Sequence, residues 1–261
     1  MADWALLLEY DGAPFVGWQR QDNGLSVQGV LETAAARLTG GVPVSTVVAG
    51  RTDAGVHAEA QVALLVLPSD FPSASRLRDA LNYHMKPHPV AVLRAAPAPR
   101  GWNARFSAIG RAYRYRILNR QARPALLAGR VWHVHAPLDA DAMQRAARAL
   151  LGRHDFTSFR AAACQAKSPL RTLDRLDVTR DADVVEVVAE ARSFLHHQVR
   201  NMVGTLKLVG DGHWPAERLA TALAARDRSA GGPTAPAEGL CLIGVHYAVD
   251  PFALAEATPG N

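Results

Sequence analysis

The 261-residue chain predicts an α+β fold of two ferredoxin-like (βαββαβ) halves with a mixed, mainly antiparallel sheet. Two observations carry that expectation. Strand and helix patterns run in the order βαββαβ and then repeat it, and residues 96–101, with Pro97 and Pro99, separate the two runs. Such an order packs helices on antiparallel sheet. Joining the sheets edge to edge would hide two edges that otherwise invite pairing with other chains. The halves are placed at 1–102 and 103–250, with a tail at 251–261 that frays after Phe252.

In the first half, residues 4–10 (WALLLEY) read as a strand. Val27, Val30, Leu31, Ala34, Ala35 and Leu38 recur at helical spacing, with Ser26 placed to cap the helix and Gly40-Gly41 to end it. Residues 44–49 and 61–67 read as strands flanking a loop, 73–85 as a helix stopping before Pro87, and 90–95 as another strand. In the second half, 111–118 reads as a strand. Met143, Ala146, Ala147 and Leu150 line one helix face, opened by Asp139 or Asp141. Residues 172–179 and 184–191 form a hairpin turning at 180–183. Leu195, Val199, Met202, Val203 and Leu206 mark a further helix, 215–226 a third, and 240–247 a closing strand.

Composition narrows the classes. Apolar content of 49% and charged content of 20% are ordinary for a globular protein. No apolar run approaches the ~20 residues of a membrane helix. Met1-Ala2-Asp3-Trp4 lacks the basic patch that precedes the apolar stretch of a signal peptide. Cys164 and Cys241 are far apart and form no CxxC pair, which fits a reducing cytoplasm. The net charge is +5, and because Lys86, Lys167 and Lys207 are the only lysines, the excess is arginine. Arginine forks onto phosphate and stacks on bases, which suits RNA; the coding bias of a GC-rich genome gives the same composition.

Four segments can carry chemistry. Gly50-Arg51-Thr52-Asp53-Ala54-Gly55-Val56-His57 brackets an acid between two glycines that permit tight turns and close approach of a ligand; read alone, Asp53 equally suits an Asx-turn. In the strand Arg111-Ala112-Tyr113-Arg114-Tyr115-Arg116 the tyrosines share one face and the arginines the other, able to stack a base and hold phosphates, or else to put a tyrosine in the core and arginines in solvent. On the helix near 196–204, His197, Arg200, Asn201 and Gly204 lie beside the apolar stripe; a buried arginine there would need a carboxylate such as Asp53. Gln19 and Arg20 in GWQRQ, and Lys167 in CQAKS, offer amide and cationic donors. No phosphate-loop or dinucleotide fingerprint occurs. Pro87 separates His84 from His88, His133 and His135 lack a third ligand, and His196 and His197 would diverge on a helix, so no metal site is expected.

Taken in order, GWQRQ, AGRTDAGVHA, ARFSA, RAYRYRI, DFTSFR, CQAKSPLRT, FLHHQVRNMVG and AEGL resemble the bacterial tRNA pseudouridine synthase A family over nearly the whole chain, with GRTDAGVH the most specific. The resemblance implies an isomerase that converts uridine to pseudouridine at positions 38, 39 and 40 of the tRNA anticodon stem-loop. It implies a pseudouridine-synthase sheet around a central basic cleft, no cofactor, no metal, and a cytoplasmic homodimer with tRNA as partner. It makes Asp53 the nucleophile, Tyr113 the residue stacked on the target uracil, Arg200 the partner of Asp53, and Arg51 a residue holding the flipped nucleotide. Gln19, Arg20 and Lys167 would contact the substrate. The chain departs from the family's Asn-x-x-Leu-Pro-x-Asp-like stretch at Leu81-Asn82-Tyr83-His84-Met85-Lys86-Pro87-His88-Pro89, which bears on RNA docking rather than on the chemistry.

Overall fold

A computed structural model describes residues 1–253. The chain forms two compact units, Met1–Arg111 together with the described residues from Leu242, and Ala112–Cys241.

The first unit begins β1 (Ala2–Tyr10), α1 (Val27–Leu38), β2 (Ser45–Val48), β3 (His57–Leu67), α2 (Ala74–Met85) and β4 (Val90–Pro97), the predicted βαββαβ order. β1 pairs antiparallel with both β3 and β4, and β2 pairs antiparallel with β3. Caps set the helix ends. Ser26 Oγ accepts the Gly29 amide at 3.1 Å, Ser73 Oγ accepts the Arg76 amide at 3.3 Å, and the Gly41 amide returns to Ala36 O at 2.8 Å. Leu77, Leu81 and Met85 bury one face of α2, while Asn82 bonds both the amide and the carbonyl of Val92 on β4. A cluster of Ala5, Ala49, Val62, Leu64, Ala96, Trp102 and Ala104 is completed by Phe252. Arg94 Nη2 donates to Phe252 O at 2.8 Å, and Tyr247 Oη donates to Ala104 O at 2.7 Å. The rest of the expected tail, 254–261, lies outside the described residues.

The second unit contains most of β5 (Ala108–Asn119), then β6 (Trp132–Val134), α3 (Ala140–Ala147), β7 (Gly152–Asp155), β8 (Leu170–Asp181), β9 (Val184–Ala191), α4 (Gln198–Gly210), α5 (Glu217–Ala225) and the start of β10 (Leu240–Tyr247). β7–β8 and β8–β9 are antiparallel, and β6 pairs parallel with β5, so the sheet is mixed and mainly antiparallel. Asp139 caps α3 by accepting the Ala142 amide at 2.8 Å. The short strands β6 and β7 were not part of the predicted order; with so few residues neither shows a period. The helix expected from Leu195 starts later. His197 is left-handed (φ 61) and Gln198 Oε1 accepts the Leu195 amide at 2.8 Å, closing a turn before α4. His196 and His197 therefore do not diverge on a helix; their rings lie 4.0 Å apart at 45°. Among the described residues no helix is long and apolar enough to cross a membrane.

Candidate active site

Asp53 is half-buried in the turn between β2 and β3. The backbone around it is fixed from several sides. Tyr10 Oη and Thr52 Oγ1 lie 2.8 Å apart, and Gln61 Nε2 donates to Gly50 O at 2.8 Å and to Tyr10 Oη at 3.2 Å. The Trp18 amide donates to Thr52 O at 3.1 Å, the Gly55 amide to Phe15 O at 3.3 Å, and the Val56 amide to Asp53 O at 3.1 Å.

Two glycines allow this approach. Gly17 has φ +114, and a Cβ there would stand 2.8 Å from Thr52 O and 3.2 Å from both Ala54 N and Asp53 C. A Cβ on Gly12 would meet Val56 O at 2.1 Å. Only glycine lets these backbones touch. His57 joins the Gly12 turn to the same loop, its Nδ1 lying 3.0 Å from the Gly12 amide and 3.1 Å from Asp11 Oδ1. One nitrogen cannot serve both: the amide needs its lone pair, the carboxylate its proton, and in either form the ring bridges the turn and β3. Gln19 and Arg20 leave this framework exposed, and Arg51 is exposed beside Thr52. Arg20 Nη1 lies 3.6 Å from Glu32, which also accepts from the Thr46 amide and hydroxyl.

Arg111 takes no phosphate-facing position. It is buried and donates to Ala49 O at 2.7 Å, Arg105 O at 2.8 Å and Ala108 O at 3.4 Å, which ties the end of β2 to the start of β5. Beside it, burial pushes the Tyr247 phenol up, with the Arg111 charge opposing.

In the second unit, Tyr113 and Tyr115 share the buried face of β5. Tyr113 is 9% exposed and meets the Phe194 ring edge-on at 5.3 Å. Tyr115 donates to Pro236 O at 2.8 Å, and Gly239 passes so close that a Cβ would stand 2.6 Å from its ring. Burial pushes the Tyr115 phenol up; Arg200 opposes and Glu238 adds to the shift. The second unit thus brings Arg200 to the tyrosine face of β5. Arg200, half-buried on α4, donates from Nε to Ala235 O at 2.8 Å, and its own carbonyl accepts the Ala235 amide at 3.1 Å. One turn on, a Cβ at Gly204 would overlap Pro233 O at 1.8 Å, so α4 lies against the backbone of the 228–239 loop. Arg114 Nε lies 3.5 Å from Glu186 on β9. Lys167 is exposed and joins neither cluster of contacts.

Residues 7–107 and 146–248 match the family model described as tRNA pseudouridine synthase. The chain belongs to the tRNA pseudouridine synthase A family. It is 72% identical over 253 residues to tRNA pseudouridine synthase A of Acidiphilium cryptum, covering 97% of this chain and 99% of that one. It is 63% identical over 247 residues to the enzyme of that name from Paramagnetospirillum magneticum, covering 95% and 96%, and 57% identical over 250 residues to that of Gluconobacter oxydans, covering 95% and 91%. As a tRNA pseudouridine synthase the chain is an isomerase that acts in RNA modification. The predicted set missed the supporting residues of this synthase, Gly12, Gly17, Tyr10, Gln61 and Arg111. The signal was present in Tyr10-Asp11-Gly12, where β1 ends, and in the glycine opening GWQRQ, in the segment between β1 and α1.

Proposed function

We propose that this synthase isomerises uridines 38, 39 and 40 in the anticodon stem-loop of tRNA, with Asp53 as nucleophile and no cofactor. The observation that carries the proposal is the held loop. Backbone and side-chain bonds from Tyr10, Phe15, Trp18 and Gln61 fix the residues on both sides of Asp53, while Asp53 itself stays only half-buried. A carboxylate fixed through its own backbone is preorganised, and little ordering remains for the moment of reaction.

The reaction needs no co-reactant. The N1–C1′ bond breaks, the uracil turns, C5 bonds to C1′, the C5 proton leaves and N1 gains one, so the composition of the nucleotide is unchanged. The ionised carboxylate of Asp53 is needed whether it attacks the ribose, attacks the base or, as a base instead of a nucleophile, removes a sugar proton. The uridine must leave the stack, at a cost of a few kcal/mol, and Arg51 is proposed to hold it out. Tyr113 stacks on the uracil. Arg200 serves as counter-charge to Asp53, because a charge enclosed with its substrate needs an opposite charge beside it. Gln19, Arg20 and Lys167 contact the RNA, and the enzyme acts as a cytoplasmic homodimer. The matched family motifs support these assignments.

Asp53→Asn tests the proposal. The isosteric amide is expected to keep tRNA binding and lose pseudouridine formation, read by carbodiimide labelling of treated tRNA. Substantial turnover in the variant would refute the nucleophile. Mapping pseudouridine in tRNA from cells lacking the protein tests the sites: loss at 38, 39 and 40 is expected, and loss elsewhere alone would refute them.

A further inference from the structure

The first unit holds a concavity of about 360 Å³. One wall is a stripe along α1, Ser26, Gly29, Val30, Thr33 and Arg37, whose spacing keeps these residues on one helix face. The rest of the lining is His84 in the last turn of α2, Lys86 and His88 just after that helix, and Arg20 and Gln21.

Every ionisable side chain that lines this cleft is basic or a histidine; none is an acid. Arg20 is partly balanced by Glu32 at 3.6 Å. Among the described residues, Arg37 and Lys86 have no carboxylate at ion-pair distance, and both are exposed. The N-terminus of α1 opens at the cleft with no acid in its first turn, so the positive end of its dipole is uncompensated there. Its first amides are already used: Val27 donates to Gly17 O, Gln28 to Trp18 O and Gly29 to Ser26 Oγ. An anion in the cleft is therefore held by side chains rather than cradled by backbone.

We propose that this cleft holds a backbone phosphate of the bound tRNA, with Arg37 and Lys86 as its main contacts. Arg20 lies three residues from Gly17, which touches the backbone of Asp53, and three residues span at most ~10 Å. The cleft is thus within reach of the same stretch of RNA that presents its uridine to Asp53. The cationic lining suits a phosphodiester better than a nucleobase, since no lining side chain is aromatic apart from the two imidazoles. The inference rests on the reading of tRNA as substrate and adds a docking point to it.

The test is the salt dependence of tRNA binding by the full chain. Arg37→Ala and Lys86→Ala are each expected to lower the slope of log K against log salt by about 0.7–0.9, and to weaken binding on the order of 3-fold. Arg37→Lys and Lys86→Arg are expected to restore both values, and thermal melting checks that every variant is folded. Unchanged Kd and slope in the double alanine variant would overturn the proposal. Titration with inorganic phosphate alone is the second arm: saturable binding lost in the double variant, with tRNA affinity intact, would mark a free-anion site and overturn it too. Failure of the wild-type chain to bind tRNA would instead count against the functional reading itself.

Discussion

Gly17→Ala is expected to slow catalysis while leaving tRNA binding nearly intact. At φ +114 a side chain carries a backbone penalty of about 1–3 kcal/mol. The new Cβ would also stand 2.8 Å from Thr52 O and 3.2 Å from Ala54 N and Asp53 C. All three are backbone atoms, so no flexible side chain can swing aside. The Trp18 amide bond to Thr52 O joins the same two segments, which means that strain at Gly17 is passed to Asp53. A shift of a few tenths of an ångström follows. Misplacement by ~1 Å can cost about 100-fold, so a fall in kcat of roughly 10-fold is expected, with KM little changed. Because the C5 proton leaves during isomerisation, tritium release from tRNA carrying 5-tritiated uridine reads the rate directly. Gly40→Ala is the control: it also has positive φ (+67), but a Cβ there meets nothing within 4 Å. Both variants should melt lower, by about 2–4 °C for each kcal/mol lost. If Gly17→Ala turns over as fast as Gly40→Ala at a temperature where both are folded, the loop is not positioned through Gly17 and the reasoning fails.

Tyr113→Phe should keep tRNA affinity and slow a step after glycosidic cleavage, because the ring remains and only the hydroxyl is lost; wild-type single-turnover kinetics would leave that hydroxyl without a role. Tyr115→Phe should destabilise the protein by about 1–3 kcal/mol in urea unfolding at neutral pH, since Pro236 O loses its 2.8 Å partner. The pH dependence has a definite sign. Burial raises the Tyr115 phenol in the folded state, with Arg200 opposing, so the unfolded chain loses its proton first, near pH 10. This contribution is complete below about pH 10 and is lost as pH rises toward the folded value. The alkaline loss of stability should therefore be shallower in Tyr115→Phe than in wild type, with Tyr247, raised for the same reason, supplying the remainder.

Helices were legible in the sequence because their signals are local. Ser26 and Ser73 cap where the apolar period begins, and of the two candidates for α3 the structure selects Asp139. The first-half strands were legible for the same reason, bracketed by turns and rich in branched residues. The supports of Asp53 were not, because they act between segments far apart in the chain. Gln61 reaches Gly50 across a strand pair, Gly12 meets Val56, and Arg111 gathers carbonyls from two segments. No periodicity marks a glycine whose only function is to be touched. The tyrosine and arginine alternation of β5 holds for Arg114 and Arg116 but not for Arg111, which by strand parity falls on the tyrosine face and is buried there as a cross-brace, while Arg114 sits beside Glu186. His197 misled because its left-handed backbone breaks a helical pattern that the neighbouring apolar residues continue.

The first unit is interrupted: Phe252 and Tyr247 belong to the packing around Trp102, yet the whole of Ala112–Cys241 is synthesised before them. At about 5–20 residues per second, the ribosome needs roughly 7–28 s to pass from Arg111 to Phe252. For that interval the half that carries Asp53 is exposed without its closing segment, whereas the contiguous second unit can complete its core as it emerges. The later-made half is thus able to mature first. A chain cut short before Leu242 would leave the scaffold that carries Asp53 open, so an aborted product would not become a competent catalyst.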